Sequence, residues 1–225
     1  GWEAVGLFES QEEIDRSPIQ FSEGNHSRLR PGDIKYRDLN GDGVIDDYDK
    51  MPIGFCDIPE ITYGFGGAIE WKGFDVSIFF QGTARVSLFE EGSTIVPFSS
   101  GYKNNDGFLR GVMENRWTVD NPDPNARYPR TIRPSDALDN NNTKKSSFWV
   151  RNAAFLRLKN AEIGYTFPKR WMEKMAIQNL RLYVSGVNLL TWAPDVHLFD
   201  PDLGSGDGRK YPPTRVFNVG LNINF

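Results

Sequence analysis

Residues 63–82, with the sequence YGFGGAIEWKGFDVSIFFQG, alternate between apolar and small or polar residues on both sides of a short turn. Lys72 and Gly73 fit a two-residue hairpin turn, which would place Trp71 and Phe74 opposite each other on one face. Counting outward from the turn gives the further pairs of that face: Ile69 with Val76, Gly67 with Ile78, Phe65 with Phe80, and Tyr63 with Gly82. Phe79 is the one large apolar residue on the other parity. Two alternations that agree in register predict an antiparallel hairpin with one apolar face.

Three further segments show strand-like alternation. Residues 217–225 carry apolar side chains on one parity and asparagine or glycine on the other. Residues 180–190 begin in the same way, with leucine and valine on one parity. Residues 155–167 change parity midway, which predicts a β-bulge near 160–162. The predicted fold class is therefore all-β and antiparallel.

The connections between these segments alternate in length. The turn at 72–73 is short, and residues 168–179 form a moderate connection in which a short helix is predicted. The connections 84–154 and 191–214 are long. Short turns on one side and long loops on the other are typical of outer-membrane β-barrels, so the long connections are predicted to be extracellular. The predicted domains are 1–61, an extracellular loop region, and 62–225, the barrel strands with their loops.

Composition excludes several other classes. Lys and Arg total 26 against 30 Asp and Glu, without a basic cluster, so nucleic acid is not an expected partner. Cys56 is the one cysteine, which excludes an internal disulfide framework and a Cys-based zinc site. The mean hydropathy is −0.50, and no apolar run is long enough for a transmembrane helix. Barrel strands need apolar residues only at alternate positions, so this average does not exclude a membrane protein.

Residues 38–49 read DLNGDGVIDDYD and match the calcium loop of EF-hand proteins. Calcium is a hard cation that prefers oxygen ligands, and carboxylates and amides at this spacing can wrap around it. Gly43 permits the sharp turn inside the loop, and Ile45 is expected to anchor the loop to a core. The predicted ligands of Ca²⁺ are the side chains of Asp38, Asn40, Asp42, Asp46 and Asp49 and the carbonyl of Val44.

This loop departs from an EF-hand in two ways. Asp49 stands at the final position, where EF-hands have glutamate, so its reach to the ion is shorter. Pro31 and Pro52 disfavour the two flanking helices, so a lone loop that acts as a structural staple is expected. The alternative is a surface turn rich in Asp, Asn and Gly that binds no ion.

Several motifs together resemble the SusC/RagA family of TonB-linked outer-membrane proteins. They occur in the order that the family has and span nearly the whole chain. The motifs are VGLFESQEEI at 5–14, PGDIKY at 31–36 leading into DLNGDG at 38–43, PEITYG at 59–64, FLRLKN at 155–160, GYTFP at 164–168, LYVSGVNL at 182–189 and the closing aromatic strand.

The resemblance implies that the chain is the C-terminal part of a transporter in the cell outer membrane. Such a transporter has a barrel of roughly 22 strands and a plug domain that is absent from these residues. It would import oligosaccharides or peptides, with a SusD-like surface lipoprotein as a lid. TonB would drive the import through a segment outside this chain, and outer-membrane lipid would surround the barrel.

Other classes of protein have less support in the sequence. His26 and His197 lie far apart in loop-like stretches without a nucleophile or metal-ligand pattern, so no enzyme activity is predicted. The sequence does not exclude a pair of carboxylates suited to glycoside hydrolysis, because it does not give the distance between them. The main alternative is a secreted, calcium-stabilised β-sandwich that binds carbohydrate, in which the apolar parity would be buried between sheets. A dockerin would need a second calcium loop, and none occurs.

Substrate contacts, if this chain makes them, are expected in the long loops. Aromatic side chains there could serve as platforms for a substrate, although such residues also pack loops internally. The candidates are Tyr102, Trp117, Tyr128 and Trp192.

Overall fold

The computed structural model describes residues 1–20, 28–92, 94–96, 109–132, 140–172 and 177–225. The strands are β1 (Ala4–Leu7), β2 (Ile19–Gln20), β3 (Ile34–Tyr36), β4 (Val44–Ile45), β5 (Ile61–Trp71), β6 (Phe74–Ala84), β7 (Ser87–Phe89), β8 (Val150–Asn152), β9 (Phe155–Thr166), β10 (Asn179–Trp192) and β11 (Val216–Asn224). The helices are α1 (Gln11–Arg16), α2 (Arg110–Glu114) and α3 (Lys169–Met172). Across the ranges described, no helix has the length and hydrophobicity to cross a membrane.

The largest element is a five-stranded antiparallel sheet in the order β11-β10-β9-β6-β5. This order follows the chain, so the sheet is a meander in which each long strand pairs with the next long strand. The all-β, antiparallel fold class is confirmed. The helix predicted in the moderate connection is present as α3, and residues 173–176 lie outside the described part.

The hairpin of β5 and β6 has the predicted register. Trp71 pairs with Phe74, and the pairing continues without a shift to Ile61 and Ala84. Lys72 has φ 48° and Gly73 has φ 89°, the left-handed pair that a tight hairpin of this twist requires. A Cβ on Gly73 would also lie 2.7 Å from the carbonyl oxygen of Thr166, so glycine is needed there for space as well.

The predicted parity change in β9 is confirmed next to the expected position. Phe79 pairs with Asn160 and Phe80 pairs with Leu158, which leaves Lys159 as the extra residue of a bulge. The other neighbour, β10, has its own irregularity between Val187 and Leu190. Because of these bulges, the apolar parity on each side of Lys159 falls on the same face of the sheet.

The chain divides into two compact units, each discontinuous in sequence. One consists of Gly1–Phe55, Leu88–Arg151 and Gly204–Arg209, and the other of Cys56–Ser87, Asn152–Leu203 and Lys210–Phe225. The second unit contains the five-stranded sheet. The predicted domains, 1–61 and 62–225, divide the chain into extracellular loops and barrel strands. This division stays a prediction.

The first unit is held together by a small apolar core and a buried polar network. Phe8, Ile14 and Leu29 form the apolar cluster. Asp33 is fully buried and forms a bidentate ion pair with Arg130, at 2.7 and 2.9 Å. The Asn142 side chain donates to Asp33 and accepts from the backbone N–H of Ile34. A buried carboxylate needs such partners to offset the loss of water.

Candidate functional sites on the sheet and in the loop 38–49

One face of the five-stranded sheet is apolar and exposed. A single row crosses all five strands in register: Ile69, Val76, Ile163, Val184 and Val219. Exposed fractions on this face include 74% for Ile69, 43% for Val76, 69% for Phe217 and 54% for Leu221. A β-sandwich would bury these side chains between sheets, so their exposure argues against that alternative.

The two outer strands of the sheet leave open edges. In the part of the chain that the structure describes, β5 pairs only with β6, and β11 pairs only with β10. Unpaired backbone N–H and C=O groups along an edge favour pairing with a further strand. The sheet therefore has the form of a segment cut from a larger one.

The opposite face of the sheet carries polar and small residues. The row beside the apolar one runs Glu70, Asp75, Gly164, Tyr183 and Gly220. Arg181 lies in this region and donates from Nε to Asp75 at 3.0 Å and from Nη2 to Glu162 at 2.6 Å. Its guanidinium also lies 4.9 Å from the ring centroid of Tyr183. The two opposite faces of the sheet therefore differ: one is apolar, and the other carries ion pairs.

Phe79, the one residue that broke the predicted alternation, lies on this polar face above glycines. A Cβ on Gly64 would come within 2.9 Å of the Phe79 ring, and a Cβ on Gly66 within 3.1 Å. The absence of side chains at these two positions gives the ring its space. The exception is thus accommodated by the strand opposite.

A second ion cluster lies at the other end of β9 and was not predicted from the sequence. Arg157 is 2% exposed and donates to Thr191 Oγ1 at 2.9 Å and to Asp200 at 2.6 Å. A third contact joins it to Asp202 at 2.7 Å. Burial raises the pKa of Asp202, and the neighbouring guanidinium of Arg157 opposes that shift. The signal that could have found it is an arginine on the polar parity of a strand, followed by the acidic pair in DPDL.

The loop 38–49 is closed by hydrogen bonds from backbone N–H groups to its own carboxylates. Asp38 accepts from Gly41 at 2.7 Å and from Gly43 at 2.8 Å. Asp49, which is fully buried, accepts from the N–H groups of Leu39 and Asp46, both at 2.8 Å. These bonds bend the chain back on itself and bring the first and last predicted ligands into one loop.

The loop is anchored as expected from its apolar position. Ile45 is 1% exposed, and β4 pairs in parallel with β2 through Ile19 opposite Val44 and Gln20 opposite Ile45. Trp2 donates from its indole N–H to the carbonyl of Asp46 at 2.7 Å. The loop that carries the predicted ligands is therefore anchored by buried and hydrogen-bonded residues.

The donor set of this loop suits calcium chemically, since it consists of carboxylate, amide and carbonyl oxygens. Within the described ranges, no group of three or more His, Cys, Asp or Glu side chains is arranged to hold a metal ion. The loop carboxylates accept hydrogen bonds from backbone N–H groups, and Oδ1 of Asp49 accepts two, from Leu39 and Asn40. Calcium binding stays a prediction for this loop.

The predicted aromatic platforms have different environments. Trp117 is 6% exposed and lines a cavity of about 510 Å³ together with Pro31, Val119 and Arg30. Tyr128 is 1% exposed, and its ring lies 6.3 Å from that of Trp149. Both belong to the first unit, and the Trp117 N–H donates to the Tyr128 carbonyl at 2.9 Å. Trp117 is the one of the pair that faces a cavity.

Among the described residues, the other aromatic candidate is Trp192, which belongs to the second unit. Trp192 is half exposed on the apolar face of the sheet, with its ring 6.4 Å from that of Phe80. Tyr102 and His26 lie outside the described residues. His197 is exposed in the connection after β10.

The chain is similar in sequence to several known proteins. No family model matches it. TonB-dependent receptor P26 of Formosa agariphila is 30% identical over 239 residues, which cover 100% of this chain and 22% of the receptor. TonB-dependent receptor P3 of the same organism is 31% identical and covers 87% of this chain and 19% of its own length. TonB-dependent receptor SusC of Bacteroides thetaiotaomicron is 26% identical over 87% of this chain and 18% of its own length.

Solved structures show the same fold. The RagAB peptide transporter matches 100% of this chain and 22% of its own, with a TM-score of 0.67 and 20% identity. The RagAB peptide importer in the open-open state also matches 100% of this chain and 22% of its own, with a TM-score of 0.64. The chain spans about a fifth of the length of the curated relatives it matches.

The class that these findings define is that of the TonB-dependent receptors. Within this class, the predicted resemblance to the SusC/RagA family is confirmed.

Proposed function

We propose that this chain supplies strands to the barrel of a TonB-dependent transporter in the outer membrane, which imports oligosaccharides or peptides. The observation that carries the proposal is the apolar face that runs in register across five strands, with ion pairs on the opposite face. Lipid can cover such an apolar face, and a polar interior can use the other.

Strand length supports a membrane location. The five strands have 9 to 14 residues, and a tilted strand needs about 9 to 11 to cross the apolar layer. In lipid, every backbone polar group needs a partner, so the open edges of β5 and β11 require further strands. A longer protein of the length of the relatives would provide them.

The remaining parts of the proposal follow from the family. The long connections 84–154 and 191–214 and residues 1–61 would lie outside the cell. A SusD-like lipoprotein would act as the lid, and TonB would engage a segment outside these residues. The names SusC and RagAB among the relatives support these partners. The relatives are named as receptors and importers, so the proposed role has no catalytic step.

Uptake by the full-length transporter tests this function. Cells that express it are given a panel of labelled oligosaccharides and peptides, with and without a protonophore. One class of substrate should accumulate, and the protonophore should abolish accumulation because TonB needs the energised inner membrane. A protein found in the secreted fraction without detergent, or a panel without any energised uptake, would refute the proposal.

We also propose that the loop 38–49 binds calcium and serves as a structural staple for the first unit. Asp38 and Asp49, at its two ends, lie in one hydrogen-bonded loop on a buried base at Ile45. A cation would draw their charges together and hold β4 against β2. This role is structural, and it requires no movement of flanking helices.

The calcium proposal predicts a variant-specific loss of stability. Asp42→Ala should raise hydrogen exchange in residues 36–50 in calcium to the level that EDTA produces in the wild type. Asp47→Ala is the matched control, because Asp47 is 81% exposed, pairs with Lys50 and is not a predicted ligand. Equal exchange of the wild type in calcium and in EDTA would rule out the site.

A further inference from the structure

Arg157 is a buried arginine in a sheet whose side chains are mostly exposed. It pairs with Gln81 on one side and with Thr191 on the other, so it belongs to the polar face. The bulge at Lys159 is the reason for this placement. Without the extra residue, the alternation that puts Ala161 and Ile163 on the apolar face would put Arg157 there too, because it has the same parity.

The guanidinium of Arg157 joins β9 to the connection that follows β10. Its contacts with Asp200 and Asp202 are 2.6 and 2.7 Å long, and both carboxylates come from this connection. Its Nε donates to Thr191, near the end of β10. One cation therefore bonds to two carboxylates and a hydroxyl, and the fork of a guanidinium provides this geometry where a lysine ammonium does not.

The connection is ordered locally around the same carboxylates. Asp200 accepts from the N–H of Asp202 at 3.0 Å, and its carbonyl accepts from the N–H of Leu203, also at 3.0 Å, in a short 3-10 helix (Pro201–Leu203). Nearer β10, Asp195 accepts from the N–H of Asn152 at 2.9 Å. The connection is thus tied at two places, to β9 of the five-stranded sheet by the buried Arg157 and to the end of β8 by Asp195.

We propose that Arg157 is a positioning residue that holds residues 193–203 against the polar face of the sheet and so limits the opening of the transporter interior at that end. The inference rests on the proposed function, in which the polar face lines the interior. A buried arginine that only stabilised the strands would have its ion-pair partners on β6 or β10, whereas Arg157 contacts β10 through the neutral hydroxyl of Thr191. Here both of its ion-pair partners lie in the connection.

Three variants of the full-length transporter test the role. Arg157→Gln removes the cation, and the double variant Asp200→Asn with Asp202→Asn removes both carboxylates from the connection without touching a strand. Hydrogen exchange in residues 193–203 should rise by at least about tenfold in both, because bonds to a charged group are lost. Arg157→Lys should behave more like Arg157→Gln than like the wild type.

Arg181→Gln is the matched control, since it removes another ion-paired arginine from the same face. Its effect should be confined to the hairpin end of the sheet. In uptake, the Arg157 and Asp200/Asp202 variants should raise the ratio of long to short labelled oligomers, whereas Arg181→Gln should not.

The outcomes separate the two proposals. Unchanged exchange of residues 193–203 in the double variant would overturn the anchoring role, even if uptake is normal. An increase in exchange without any change in the ratio of long to short oligomers would overturn its link to the opening. If the wild type imports nothing from the panel, the transport proposal fails, while the exchange measurement still decides whether Arg157 holds the connection.

Discussion

At the residue scale, glycines shape the polar face of the sheet. Gly164 and Gly220 lie on either side of Tyr183 in one row. A Cβ on Gly164 would meet Nη2 of Arg181 at 2.5 Å, and a Cβ on Gly220 would overlap the Tyr183 ring. An aromatic ring that covers a strand glycine protects the backbone and pins the register. The arginine and the tyrosine therefore depend on neighbours that have no side chain.

Gly220→Val tests this dependence. The new side chain has to displace the Tyr183 ring, and overpacking of this kind costs about 1–3 kcal/mol. The variant should show a lower thermal unfolding temperature in detergent than the wild type. Asn222→Val is the control two residues along on the same face. Adding Tyr183→Ala to Gly220→Val should recover part of the loss, and no recovery would contradict the contact.

Sequence reasoning at this scale succeeded where partners were local. The pairs of the β5–β6 hairpin followed from one turn and two alternations, because the turn fixes the register. The Arg157 cluster did not follow, because its partner Asp200 is 43 positions away and joins it through a loop. The glycines of the polar face could be identified from the sequence only as positions without a side chain. The alternation of a strand does not show which aromatic ring covers each of them.

At the element scale, bulges decide which residues reach each face. The parity change in β9 could be predicted because Leu156 and Leu158 lie on one parity and Ile163 and Tyr165 on the other. The extra residue itself, Lys159, could not be fixed from the sequence. The irregularity in β10 between Val187 and Leu190 was not predicted, because it is a shift in the pairing of β10 with β9.

An arginine scan across β9 tests the position of the bulge. If the apolar face meets lipid, arginine should cost about 2–4 kcal/mol near the middle of the membrane. The costly positions should be Leu158 on one side of Lys159 and Ala161 and Ile163 on the other. Lys159 and Glu162 should tolerate arginine. Membrane-inserted protein after refolding into lipid is the measurement, and a costly set that keeps one parity throughout would contradict the bulge.

At the scale of the whole molecule, the two compact units draw on segments far apart in sequence. In the first unit, the N–H of Ile34 donates to Asn142, 108 positions away. Periodicity describes a single segment and does not reveal such pairings, so the buried network around Asp33 could not be foreseen. The sheet could be, because its strands pair in chain order and each carries its own alternation.

The central claim is that one face of the sheet meets lipid and the other does not. Its most direct test is spin labelling of β11 in the full-length transporter in lipid, after Cys56→Ser removes the one cysteine of these 225 residues and serine replaces any cysteine elsewhere in the transporter. Single cysteines at Val219 and Leu221 probe the apolar face, and cysteines at Asn218 and Asn222 probe the polar face. Labels at 219 and 221 should be accessible to oxygen and shielded from a water-soluble nickel complex, and labels at 218 and 222 should lack this pattern. Equal accessibility at all four positions, or labels at 219 and 221 that are shielded from both reagents, would contradict the account.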